Sequence, residues 1–238
     1  MTAAVKNWAI RAGGPGLLAL AFCACSPKSG SLEQRGQAAY AAYNCRQCHR
    51  IGEAGGAVGP DLTYVGFRKS AEFLDQWLED PSAWQKDALM PNFHFNEPTR
   101  KALAAYLASL KGQQAGQDGP PWDTKDLAAD PIRRGRVIYD RAGCATCHGR
   151  EGRGGYFNNN VAGGRIPALT RVAEGYDKKE LIQKIAKGVR QPAKADPAGP
   201  DPLLAMPAWD EILRPDEIEA VADYLLSIKP ETAPEENW

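Results

Sequence analysis

The sequence predicts an all-α protein built as two similar domains in tandem. Three observations lead there. A five-residue pattern, Cys-x-x-Cys-His, occurs at residues 45–49 and again at 144–148. When the two copies are superposed, at an offset of 99 residues, further features recur around them in the same order. Apolar residues recur with helical spacing along both halves, whereas no run alternates well enough to read as a strand.

The elements follow in order. Arg35, Gly36 and Tyr40 superpose on Arg134, Gly135 and Tyr139, so each half should enter its motif through a short helix. Beyond the motif, Pro60-Asp61-Leu62 is matched by Pro167-Ala168-Leu169. A helix is expected over residues 71–78, with Ser70 as N-cap and Phe73, Leu74, Trp77 and Leu78 on its apolar face. Its counterpart spans residues 178–185, with Asp177 as N-cap and Glu180 three residues on, a capping-box spacing. Met90-Pro91 and Met206-Pro207 come next. Each half should close with an amphipathic helix beginning after Pro98 or Pro215; residues 104–111 match 222–229. In the second of these, Asp216, Glu217 and Glu219 suit the positive helix terminus, and Ile218, Val221, Ala222 and Leu225 form an apolar stripe.

These features bound the domains at residues 32–111 and 132–229. Residues 112–131, rich in Gly, Gln, Pro and Asp, read as a linker that Trp122 should pin onto one domain. Residues 230–238 read as a mobile Pro/Glu tail. Domains of this size are small for an apolar core alone.

Two thiols three positions apart, followed directly by histidine, are what covalent attachment of a c-type haem requires. Cys45 and Cys48, and again Cys144 and Cys147, would add to the porphyrin vinyl groups, with His49 and His148 as proximal iron ligands. Two haem c groups would also supply the apolar mass that the small domains lack. The competing reading is one four-cysteine zinc site, but zinc gives no reason for a histidine after both pairs. A thioredoxin-like redox pair would need one motif in a βαβ setting. Of the six cysteines, only Cys23 and Cys25 lie outside the motifs, which leaves no disulfide pair in the body of the chain.

Apart from the initiator, the methionines are Met90 and Met206, one per half, each after a motif and each followed by proline. Number, order and context fit a thioether sixth ligand to each iron. His94, four residues after Met90, is the competing ligand in the first half.

Residues 1–25 read as an export signal: Lys6 and Arg11, then an apolar run over 17–22 ending in small residues. The run falls short of the roughly 20 apolar residues that span a bilayer. Ala24-Cys25-Ser26 resembles a bacterial lipobox, imperfectly because Phe22 and Cys23 precede it, so lipid attachment at Cys25 competes with plain secretion. An acylated Cys25 would hold the protein at a membrane surface. Losing Lys6 and Arg11 leaves 27 basic against 29 acidic residues, a balance that argues against a nucleic-acid partner.

With motifs, methionines and final helices in place, the chain resembles a tandem dihaem class I cytochrome c over residues 32–111 and 132–229. The resemblance implies that the carbonyls of Pro60 and Pro167 accept a hydrogen bond from the proximal histidines, fixing the rings. It implies haem attachment outside the bacterial cytoplasm and irons without an open site, suited to passing electrons between redox partners. The protein would be a tethered carrier or a cytochrome subunit of a respiratory or dehydrogenase complex. A dihaem peroxidase is the alternative; it needs a releasable sixth ligand and acid/base groups, against which the two methionines argue. A haem-based sensor or structural subunit is a third class. The first half is neutral and the second carries +3 (16 basic, 13 acidic), which leaves open which haem has the higher potential.

Overall fold

The computed structural model describes residues 30–113 and 119–228. The expected signal peptide, Cys25, part of the linker, Lys229 and the tail lie outside them.

The first half opens with α1 (Leu32–Ala42), started by a capping box in which Ser31 and Gln34 satisfy each other's backbone N–H groups. A tight turn at Cys45–Gln47 follows. Next comes a hairpin of β1 (Arg50–Ile51) and β2 (Ala54–Gly55), paired antiparallel with Arg50 opposite Gly55. This corrects the strand-free expectation: two residues per strand are too few to show alternation. After α2 (Val65–Arg68), the predicted helix forms as α3 (Ala71–Glu79), with the Ser70 hydroxyl accepting from Phe73 N at 3.1 Å. Its Phe73, Leu74 and Leu78 are buried. A short α4 (Pro81–Trp84) precedes α5 (Glu97–Ser109).

The second half runs through α6 (Lys125–Ala128), α7 (Pro131–Ile138), a π-helical turn at Tyr139–Gly143, and α8 (Ala145–His148). Then come α9 (Val172–Gly175), α10 (Lys178–Lys187) with the predicted Asp177/Glu180 capping box, and α11 (Pro215–Ser227). The closing helices start slightly earlier than expected. Pro98 lies in the first turn of α5 behind an Asn96 cap, and Pro215 is the first residue of α11. Proline lacks only an N–H that the first turn leaves unpaired anyway, so it is admitted there.

The same packing organises both halves. α1 crosses α5, and α7 crosses α11, each through a glycine. A Cβ on Gly36 would stand 2.0 Å from Ala102 O, and one on Gly135 would stand 1.9 Å from Ala220 O. Only a missing side chain lets the backbones meet so closely. Four residues on, Tyr40 meets Tyr106 at 5.6 Å between centroids and Tyr139 meets Tyr224 at 5.4 Å. All four stripe residues of α11 are buried.

The halves are packed against each other. Tyr64 and Phe67 of the first enter the core of the second, with Phe67 edge-on to Trp209 at 5.3 Å. Trp122 is only 1% exposed; its indole N–H donates to Glu217 Oε1 at 2.6 Å and its ring lies 6.1 Å from Tyr64. The expected pin is therefore driven into the second half and touches the first as well. Polar ties join the halves too: Arg141 reaches Asp61 Oδ2 and Glu53 Oε1, both at 2.8 Å.

Candidate functional site

Each Cys-x-x-Cys-His segment is one helical turn. His49 N bonds Cys45 O at 3.0 Å and His148 N bonds Cys144 O at 2.9 Å. A turn places the first and fourth residues on one side, so the thiols of each motif share a face. The turns are reached differently: Asn44, in left-handed conformation at φ 55°, precedes the first, and the π-helical turn leads into the second.

Burial pushes the Cys144 thiol up to about 12 and raises that of Cys45 as well. Among the described residues, no group of three or more His, Cys, Asp or Glu side chains converges on one point, so the two cysteine pairs do not form one centre.

The histidines are held alike. His49 Nδ1 lies 2.9 Å from Pro60 O, and His148 Nδ1 lies 3.0 Å from Pro167 O. A carbonyl can only accept, so Nδ1 carries a proton in both rings and Nε2 is the nitrogen left to face a metal. That is the tautomer an iron ligand needs. Burial lowers the pKa of His148 further, against the opposing pull of the Pro167 carbonyl, and so favours the neutral ring. The two loops differ in length, 11 and 19 residues from histidine to proline, yet make the same bond. Gly59 lets its loop close over the His49 ring, where a Cβ would stand 2.5 Å from Cε1.

Met90 and Met206 both border their half's core. The Trp77 indole N–H points at Met90 Sδ, 3.2 Å away. Met206 is fixed through its backbone, which exchanges two hydrogen bonds with Val189 at 2.9 and 3.2 Å. His94 is exposed and adopts φ 51°, its own N–H donating to Asn92 Oδ1 at 2.8 Å. Three buried donors of the first half have no partner among the described residues: Tyr40 Oη, Arg50 Nε and, at the interface with the second half, Arg68 Nε. The acidic groups of a haem would suit such donors. The thiol pairs, free Nε2 atoms and thioethers fit a haem in each half, and the orphaned donors Tyr40 and Arg50 add to the fit of the first.

Sequence reasoning missed three contributors. Trp77 reads as core aromatic until its N–H is seen on Met90. Asn158, Asn159 and Asn160 read as loop residues, yet their side chains tie the long loop to residues 196–204. Arg68 stands in no motif of the sequence, yet it is buried against the second motif. Only the run of three asparagines carried a signal, since side chains with both donor and acceptor suit loop-to-loop ties.

Comparison with known proteins agrees with this geometry. Residues 132–229 match the family described as Cytochrome c. Residues 31–107 match the family described as Cytochrome C oxidase, cbb3-type, subunit III. A search of curated proteins finds no match. Among solved structures, a chain of the reducing HAO-like protein complex of Kuenenia stuttgartiensis is 15% identical, covering 83% of this chain and 96% of that one. Its TM-score of 0.29 is too low to carry an argument. No helix of the described residues is long and apolar enough to cross a membrane. Domains of this kind bind haem c and serve electron transfer. The chain belongs to the cytochrome c family, as a tandem of two cytochrome c domains.

Proposed function

We propose that the chain carries two covalently attached haems and relays electrons between redox proteins outside the cytoplasm. Residues 32–111 and 132–229 are the two haem domains. Cys45 and Cys48 would hold the first haem and Cys144 and Cys147 the second, with His49/Met90 and His148/Met206 as axial pairs. The carrying observation is the histidine–proline bond made in both halves, which leaves Nε2 free beside each thiol pair.

When bound, each haem supplies a one-electron iron couple. The chain's residues tune and protect that couple. The Pro60 and Pro167 carbonyls orient the histidines and make them better donors. Two protein ligands per iron leave no position for substrate, which supports transfer over peroxidase chemistry. Packing of Tyr64, Phe67 and Trp122 between the halves supports a relay inside one chain.

Export with a lipid at Cys25 would tether the protein beside a membrane complex. The match of residues 31–107 to oxidase subunits supports a place as a cytochrome subunit. The test is intact mass and spectroscopy of the full chain matured with haem-attachment machinery. Two haem additions are expected, with a near-infrared methionine–ferric band. Met206→Ala should remove part of that band and Met90→Ala the rest. A haem-free chain, or a band that survives Met90→Ala and falls with His94→Ala, would overturn the respective assignment.

A further inference from the structure

We infer that Arg68 of the first half is a positioning residue for the second haem site, and that its buried charge makes that site the higher-potential one. The inference rests on the dihaem reading above. Arg68 ends α2 and is 7% exposed. Its Nη1 donates across the interface to Gly143 O at 3.2 Å and to Thr146 Oγ1 at 2.5 Å. Thr146 lies between the two cysteines of the second motif, with Oγ1 bonded to Gly143 O at 2.7 Å and 3.9 Å from Cys147 Sγ. The guanidinium thus braces the attachment turn itself. Gly143 makes the room: a Cβ there would stand 2.4 Å from Arg68 Cζ.

The charge has no direct ion-pair partner, and the nearby Asp61 carboxylate offsets it only in part. All its bonds run to neutral oxygens, the third from Nη2 to Asp61 O at 3.1 Å, and its buried Nε has no partner. The Asp61 carboxylate is already taken by Arg141 at 2.8 Å and by Thr63 at 2.5 Å. Burial pulls the pKa of Arg68 down, but a guanidinium stays protonated in proteins. A fixed positive charge in a poorly screened setting disfavours the more positive, ferric state. The effect is one-sided. α9 repeats α2, with matching cap angles at Lys69 (φ −135°, ψ 133°) and Tyr176 (φ −135°, ψ 136°). That superposition sets Arg68 on Gly175, so the equivalent position of the second half carries no charge. The arginine that the second half does send across, Arg141, is neutralised there by Asp61 and Glu53.

The test is a redox titration of the haem-loaded full chain, with Arg68→Met and Arg68→Lys beside the wild type. Met206→Ala identifies which of the two components belongs to the second site. Arg68→Met should shift that component at least tenfold in equilibrium constant, about 59 mV for one electron, toward lower potential. Arg68→Lys should retain more than half the effect, and the first component should not move. The shift should persist from about 0.01 to 1 M salt, because a buried charge is little screened. Two bound haems with unchanged potentials in Arg68→Met, equal shifts of both components, or a shift abolished by salt would each refute the role of Arg68. A wild type without two haems would instead refute the dihaem reading. Thr146→Val checks the bracing separately. It should keep the potential order while loosening the turn, seen as faster amide exchange at residues 144–148; unchanged exchange would refute the brace.

Discussion

Gly135→Ala sets two physical effects against each other. Alanine is the better helix former by about 0.5–1 kcal/mol, so propensity alone predicts a more stable α7. The crossing predicts the reverse. The new Cβ would stand 1.9 Å from Ala220 O and 2.8 Å from Tyr224 Cβ, whereas ordinary contact begins at 3.4 Å. α7 and α11 would have to part by about 1.5 Å, since the obstacle is backbone and cannot rotate away. That parting loosens the buried contacts of Ile138, Tyr139, Val221 and Tyr224. Overpacking of this kind costs about 1–3 kcal/mol or more. We expect a net loss near 2 kcal/mol, or roughly 8–16 °C in Tm for a domain of about 100 residues. Thermal unfolding of the haem-loaded chain, followed by far-UV circular dichroism and Soret absorbance, measures it. Gly36→Ala should behave alike, with its Cβ 2.0 Å from Ala102 O. Gly175→Ala, where nothing lies within 4 Å, should be neutral or slightly stabilising. A Gly135→Ala protein as stable as the wild type would refute the close-crossing argument.

Two other expectations can be checked directly. Glu217 is 2% exposed and accepts from Trp122 Nε1, Arg214 N and Arg214 Nη2. Trp122→Phe removes one charge-assisted bond and should cost about 1.5–3 kcal/mol. Glu217→Leu strands the whole set and should cost about 3–5 kcal/mol. Equal losses in denaturant unfolding would show that the carboxylate does not organise the cluster. Cys25→Ser should release the protein from membranes or block its processing. A wild type recovered soluble with an unmodified mature N-terminus would exclude the lipid anchor.

The sequence by itself determined what depends on residues close in the chain. Each attachment motif is one helical turn, so its spacing alone places two thiols and an imidazole together. The capping box at Asp177 and Glu180 and the stripe of α11 follow from i, i+3 and i+4 geometry in the same way. The two-fold repeat was legible because duplication preserves order even when loop lengths drift. The tertiary structure decided whatever depends on partners far apart in sequence. Only folding brings Trp77 onto Met90, 13 residues away, and Arg68 onto Thr146, 78 residues away. The burial of Trp122 against Glu217 spans 95 residues. The hairpin after His49 escaped notice because strands of two residues are set by the turn around the haem motif rather than by side-chain alternation. The asymmetry between the halves, an arginine at a position where the other copy has a glycine, has no periodicity to reveal it: its effect arises only when two unlike copies of one fold pack together.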